Sequence, residues 1–183
     1  MGAQSHRSDP RILGRRMLQR DHHVLAGLLR PGLSVLDIGC GTGAITSGIA
    51  EAVGPEGRVI GVDRDEGHLR LAREEHAALT NLRFEHGDAT ELRYRSEFDI
   101  VTAARTLQWI AQPERAVLGM KQAAKPGGIL VVLDYSHSRN GWEPEPRTNL
   151  VVFIGHFWRG GRRTSGITKW RTICPHRFGT QER

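Results

Sequence analysis

Cysteine is scarce in this 183-residue chain: only Cys40 and Cys174 are present. That excludes a disulfide framework and a four-thiolate zinc site. Long apolar runs are missing too, and no stretch of about 18 apolar residues is available to cross a membrane. The opening MGAQSHRSDP lacks the apolar core of a secretory signal. His6 stands where a myristoylation signal needs Ser or Thr. The expected address is the cytoplasm. Nine histidines are present, but none shows H-E-x-x-H spacing and no C-x-x-C occurs, so no metal site is expected. Internal repeats are absent.

What the chain does contain is an ordinary globular composition, 38% hydrophobic and 25% charged. Its length suits one domain with a real core. The net charge of +6 is unevenly placed. Residues 1–138 hold 17 Lys+Arg and 17 Asp+Glu, whereas residues 139–183 hold 9 and 3. A basic excess can signal nucleic-acid binding, but the body of the chain is balanced and gives no such indication.

Apolar spacing predicts an amphipathic helix over residues 12–29, stopped by Pro31-Gly32. Short apolar runs predict strands at 33–38, 58–63, 81–86, 98–103 and 128–134. Helices are expected between them at 42–53, 65–79 and 113–124, the last opened by Pro113. This alternation predicts an α/β fold: a Rossmann-like, doubly wound, mostly parallel sheet with helices on both faces. Ligands bind such sheets at the carboxyl ends of the strands.

Those ends carry the chemistry. The first strand runs into Asp37-Ile38-Gly39-Cys40-Gly41-Thr42-Gly43, a glycine-rich turn that lets a ligand approach the backbone and the next helix N-terminus. The second ends in Asp63, a carboxylate able to accept both hydroxyls of a ribose. The third ends in Gly87-Asp88-Ala89, where an acid can accept from an exocyclic amine or cap a helix. Cys40, inside the glycine turn and with no histidine nearby in sequence, does not read as a catalytic thiol.

The series VLDIGCGTG (35–43), GVD (61–63), GDA (87–89), FDIV (98–101) and KPGGIL (125–130) resembles the successive motifs of class I S-adenosylmethionine-dependent methyltransferases. The nearest group includes small-molecule and quinone-biosynthesis enzymes. The resemblance implies S-adenosyl-L-methionine as cofactor and a small-molecule methyl acceptor. It assigns Asp37, Gly39, Cys40, Gly41 and Gly43 to the methionine part, Asp63 to the ribose, and Asp88 with Ala89 to the adenine. Arg105 falls at the methionine end, and Gln108 and Trp109 in the segment bordering the acceptor. Asp134 and His137, after the fifth strand, are the candidates for a general base.

Arg64 departs from the family, which has an apolar residue there. A guanidinium can stack on adenine, or accept the 2′-phosphate of NADP. Gly39-x-Gly41-x-x-Ala44 also fits a dinucleotide turn, so an NADP-dependent oxidoreductase is the rival. Asp37 argues against it, because a carboxylate there repels a pyrophosphate and suits a cation.

The expected organisation is an N-terminal helical segment (1–32), a cofactor-binding domain (33–138) and a basic tail (139–183). In the tail only NLVVFI (149–154) reads as a strand, so the final strands of the sheet stand in question. Two readings stay open for it: a basic extension that binds an anionic partner, or a stretch altered by a frame shift between about residues 147 and 160, which would leave a non-catalytic remnant.

Overall fold

A computed structural model describes residues 9–135, 150–156 and 170–173 of the chain. Seven strands form one sheet in the order β3-β2-β1-β4-β5-β6-β7. They are β1 Ser34–Ile38, β2 Arg58–Asp63, β3 Leu82–His86, β4 Phe98–Ala104, β5 Ala124–Tyr135, β6 Leu150–His156 and β7 Trp170–Ile173. The first five are mutually parallel, and β6 and β7 add antiparallel. The order reverses between β1 and β4, which is the switch point of a doubly wound sheet.

Alternation along the strands builds a core on each face. Val35, Val59, Ile100 and Val131 point to one side, against Ile49 and Leu69 of α4 (Ala44–Val53) and α5 (Glu66–Glu75). Leu36, Ile60, Val101 and Leu130 point to the other, with Phe98 and Met120 of α6 (Pro113–Ala123). Each large apolar side chain so buried contributes about 1.5–3 kcal/mol. In α4 the buried Ile45, Ile49 and Val53 follow the expected i, i+4, i+8 stripe. Asp65 caps α5 by accepting from the N–H groups of Gly67 and His68.

Two segments differ from the expectation. The single helix over 12–29 is instead three short ones: α1 Pro10–Leu13, α2 Leu18–Asp21 and α3 His23–Leu28. Gly14 ends α1, Met17 is extended, and His22 breaks the run with φ −148° and ψ 46°. The cause at His22 is tertiary. Its ring is 1% exposed and its Nε2 meets Thr102 Oγ1 of β4 at 3.0 Å, so a sheet contact overrides helical continuity.

The second difference lies in the tail. NLVVFI does form a strand, paired with β5 from Tyr135↔Leu150 to Ile129↔His156. A further strand at Trp170–Ile173 pairs with β6, although the sequence offered no second alternating run. Sheet strands are therefore present where they stood in question. His137 and Cys174 lie outside the described residues.

Candidate functional site

The carboxyl ends of β1, β2 and β3 are stitched together through Asp63. Gly39 N–H and Cys40 N–H donate to the Val62 carbonyl at 2.7 and 3.1 Å, which folds the glycine turn over the end of β2. Gly41 N–H donates to Asp63 Oδ2 at 2.8 Å, and Asp65 N–H to Asp63 Oδ1 at 2.9 Å. Gly87 N–H donates to the Asp63 carbonyl at 3.0 Å. Each carboxylate oxygen has a second lone pair, so Asp63 can still accept from ligand hydroxyls.

The glycines are needed where they stand. Gly39 has φ +73°, and a Cβ there would sit 2.2 Å from Thr106 Oγ1. Gly43 has φ +80°, and a Cβ there would meet the Phe84 ring at 2.5 Å. Both residues therefore take a left-handed conformation against a wall.

Asp37 is 4% exposed and accepts from Thr46 Oγ1 of α4 at 2.7 Å. Burial pushes its carboxyl up to about 7; the Thr46 hydroxyl opposes that and the Asp63 charge adds to it. The turn Gly39–Thr42 and Asp37 line a cavity of about 30 Å³ with Ala44, Ile45, Ala104, Leu13 and Arg16. Thr42 Oγ1 is buried there with no hydrogen-bond partner among the described residues. A buried acid, a hydroxyl with no partner among the described residues and left-handed glycines together fit the ammonium and polar end of an amino acid. The volume holds about two waters.

Cys40 is an inert thiol: burial pushes it well above its ordinary value, and Asp37 and Asp63 add to that. Asp88 is exposed, and its Oδ1 accepts from Thr90 N–H and Thr90 Oγ1, both at 2.7 Å, capping the 3₁₀ turn Ala89–Glu91. Those bonds hold its carboxyl below the ordinary value, with smaller contributions from Arg64 and Arg115. Arg64 is exposed and its charge bears on Asp88, so it stands at the open, adenine side of the expected site.

The acceptor side departs further from expectation. Ala104, not Arg105, lines the cavity. Arg105 has φ 56°, and its Nη2 donates to the Asp21 carbonyl at 3.3 Å. Gln108 and Trp109 follow in a 3₁₀ turn, Leu107–Trp109, and Trp109 is 59% exposed. Burial pushes the carboxyl of Asp134, at the end of β5, up to about 6, opposed by the nearby backbone N–H groups of Leu107, Gln108 and Thr106 and by the Arg105 charge. Sequence patterning did not reveal Thr42, Thr46, Leu13, Arg16 or Thr106, since a hydroxyl or a strap residue carries no spacing signal. Among the described residues no His, Cys, Asp and Glu cluster could hold a metal, and no helix is long and apolar enough to cross a membrane.

A methyltransferase domain family model matches residues 29–150. The chain is similar to a demethylmenaquinone methyltransferase of Staphylococcus aureus, with 38% identity over 109 residues. That match takes in 59% of this chain and 45% of the relative, so the chain spans under half the length of the curated relatives it matches. Among solved structures, a SAM dependent methyltransferase from Aquifex aeolicus superposes with a TM-score of 0.63 at 22% identity, covering 76% of this chain and 79% of that one. An arsenic (III) S-adenosylmethionine methyltransferase from Chlamydomonas reinhardtii superposes with a TM-score of 0.54 at 27% identity, covering 60% and 41%.

Proposed function

We propose, from the premise that this chain belongs to the methyltransferase domain family, that it binds S-adenosylmethionine and passes its methyl group to a small-molecule acceptor. The observation that carries this reading is the convergence of Asp37, the glycine turn and Asp63 at the ends of two neighbouring strands, joined by the 2.8 Å bond from Gly41 N–H to Asp63.

Bound S-adenosylmethionine supplies an activated methyl group, so the protein has chiefly to hold and align. Asp37 takes the ammonium, which sets a cation against its buried carboxyl. Gly39, Cys40, Gly41 and Gly43 present backbone to the methionine part. Asp63 accepts the ribose hydroxyls with its remaining lone pairs. Asp88 and the Ala89 N–H face the adenine, and Arg64 stacks at its open edge. Leu13 and Arg16 close over the amino-acid end and exclude water. Arg105 stands at the methionine end, and Gln108 and Trp109 border the acceptor. A quinone-like ring is the acceptor class that the Staphylococcus aureus relative's name supports. The cytoplasm, where the Cys40 thiol stays reduced, is the proposed address.

An NADP-dependent oxidoreductase is disfavoured by the same geometry, because the buried Asp37 would face a pyrophosphate. Calorimetric titration with S-adenosylmethionine, S-adenosylhomocysteine and NADP tests the reading. Binding of the first two and not the third is expected; binding of NADP alone overturns it. A screen of acceptors with a radiolabelled methyl donor then identifies the substrate.

A further inference from the structure

The cavity beside the glycine turn carries one acid and one base. Asp37 lines it from β1 and Arg16 from the N-terminal segment, and the other described residues around it are uncharged. Asp37 suits the ammonium of an amino-acid end, but an amino acid is a zwitterion. Its carboxylate, taken out of water in the same cavity, also needs a partner.

Local sequence does not distinguish Arg16 from Arg11, Arg15 and Arg20; the fold does. Residues 14–17 join α1 to α2 and are fastened on both flanks. Arg20 Nη2 donates to the Arg15 carbonyl at 2.6 Å, and Met17 N–H donates to Asp21 Oδ2 at 2.8 Å. Arg16 N–H donates to the Leu13 carbonyl at 3.2 Å. Arg15 and Met17 are exposed, whereas Arg16 between them is half-buried. Two buried leucines seat the segment on glycines. A Cβ at Gly41 of the glycine turn would lie 3.1 Å from Leu13 Cδ1, and one at Gly48 of α4 would lie 2.9 Å from Leu18 Cβ. Farther along, His22 Nε2 meets Thr102 Oγ1 at 3.0 Å and Arg105 Nη2 donates to the Asp21 carbonyl at 3.3 Å. Arg16 is thus held at the cavity by the segment's packing on the turn, α4 and β4.

We propose that Arg16 is a further cofactor-binding residue: it pairs with the carboxylate of the amino-acid end while Asp37 pairs with the ammonium. This inference rests on the methyltransferase reading for the identity of the ligand. Two more groups favour an anion in this cavity. The Thr42 hydroxyl, on a residue 3% exposed, has no hydrogen-bond partner among the described residues and is able to donate. Ala44 opens the ten-residue α4, and a helix start favours negative charge. A guanidinium stays charged at every relevant pH and grips a carboxylate through two parallel bonds. Opposite charges from two elements also fix orientation, so the amino acid fits one way round.

The test is calorimetric titration of the full chain with three probes. They are S-adenosylmethionine, its decarboxylated form, which keeps the ammonium and lacks the carboxylate, and methylthioadenosine, which lacks both. The wild type should bind S-adenosylmethionine about 10- to 100-fold more tightly than the decarboxylated form. R16Q should lose about that factor for S-adenosylmethionine and stay within about threefold of wild type for the other two probes. R16K, which keeps the charge without the fork, should fall between. A wild type that binds both forms equally overturns the proposal, and that comparison needs no variant to fold. An R16Q chain that melts like wild type yet loses affinity equally for both forms also overturns it, since a merely structural Arg16 gives that result. Wild-type binding of S-adenosylmethionine that R16Q leaves unchanged removes this assignment alone. No binding of any probe by the wild type strikes the methyltransferase reading, and this assignment with it.

Discussion

The two halves of the site are built by different means. On the cofactor side, short-range backbone rules do most of the work: glycines in left-handed conformations, a carboxylate two residues before them, and an acid at the end of the next strand. On the acceptor side, a segment of ordinary residues is held in place by contacts from distant elements, with Thr106 on Ile38, the Arg105 N–H on Leu133, and the Arg105 guanidinium on Asp21. The first kind of site leaves a local imprint on the sequence. The second is fixed only once the sheet has formed.

Gly39→Ala should produce the largest effect, because Gly39 is where the two halves touch. Its added Cβ meets Thr106 Oγ1, Cγ2 and Cβ at 2.2, 2.6 and 2.9 Å, in a left-handed backbone. Strain and overpacking together should cost about 2–5 kcal/mol, read as a loss of melting temperature and of S-adenosylmethionine affinity. Adding Thr106→Ala removes two of the three contacts and should recover part of the loss. A cycle with no coupling between the two positions would separate the halves.

The next effect concerns pH and the cofactor half alone. Asp37, with its carboxyl near 7 in the free protein, must ionise to meet an ammonium. S-adenosylmethionine affinity should rise by up to about tenfold per pH unit as pH climbs toward 7, with a proton released on binding. Calorimetry in buffers of different ionisation enthalpy reads that proton. The sign for the free protein is opposite. A raised carboxyl contributes stability below the unfolded value near 4, and that contribution is lost as pH rises through about 7.

His22 tests the scaffold beneath the acceptor half. Burial depresses it to about 3, aided by Arg105 and His23. Its neutral form contributes stability above pH about 6.5, which is lost as pH falls toward 3 because only the unfolded chain takes up the proton there. His22→Gln should flatten that part of a stability–pH curve followed by thermal melts. The smallest effect belongs to Cys40: Cys40→Ala should change stability by less than about 1.5 kcal/mol, and the wild-type thiol should alkylate only slowly.

The strands and the glycine turn were legible because burial and turn chemistry act locally. Val35, Leu36 and Ile38 announce a buried strand, and Gly39, Gly41 and Gly43 announce the turn after it. Asp63 and Asp88 were legible from their strand-end positions, although their bonds to Gly41 and Thr90 were not. The N-terminal helix was misjudged because His22 leaves the helical path for Thr102, eighty residues away in sequence. The strand Trp170–Ile173 escaped because four residues are too few for an alternating pattern to stand out from a basic, glycine-rich surround. Asp134 was visible as a polar strand end, but the bond from Thr106 to Ile38 belongs to a turn whose conformation no local signal encodes.

Asp63 is the point where three strand ends and the glycine turn converge, and the proposed nucleoside contact runs through it. Its most direct test is the S-adenosylmethionine affinity of Asp63→Ala, measured by titration beside a thermal melt that checks the fold. Loss of about 100-fold or more in a chain that still melts cooperatively is the predicted result, in line with removal of a charged partner from two hydroxyls and of the anchor of Gly41. Unchanged affinity in the same folded chain would contradict it.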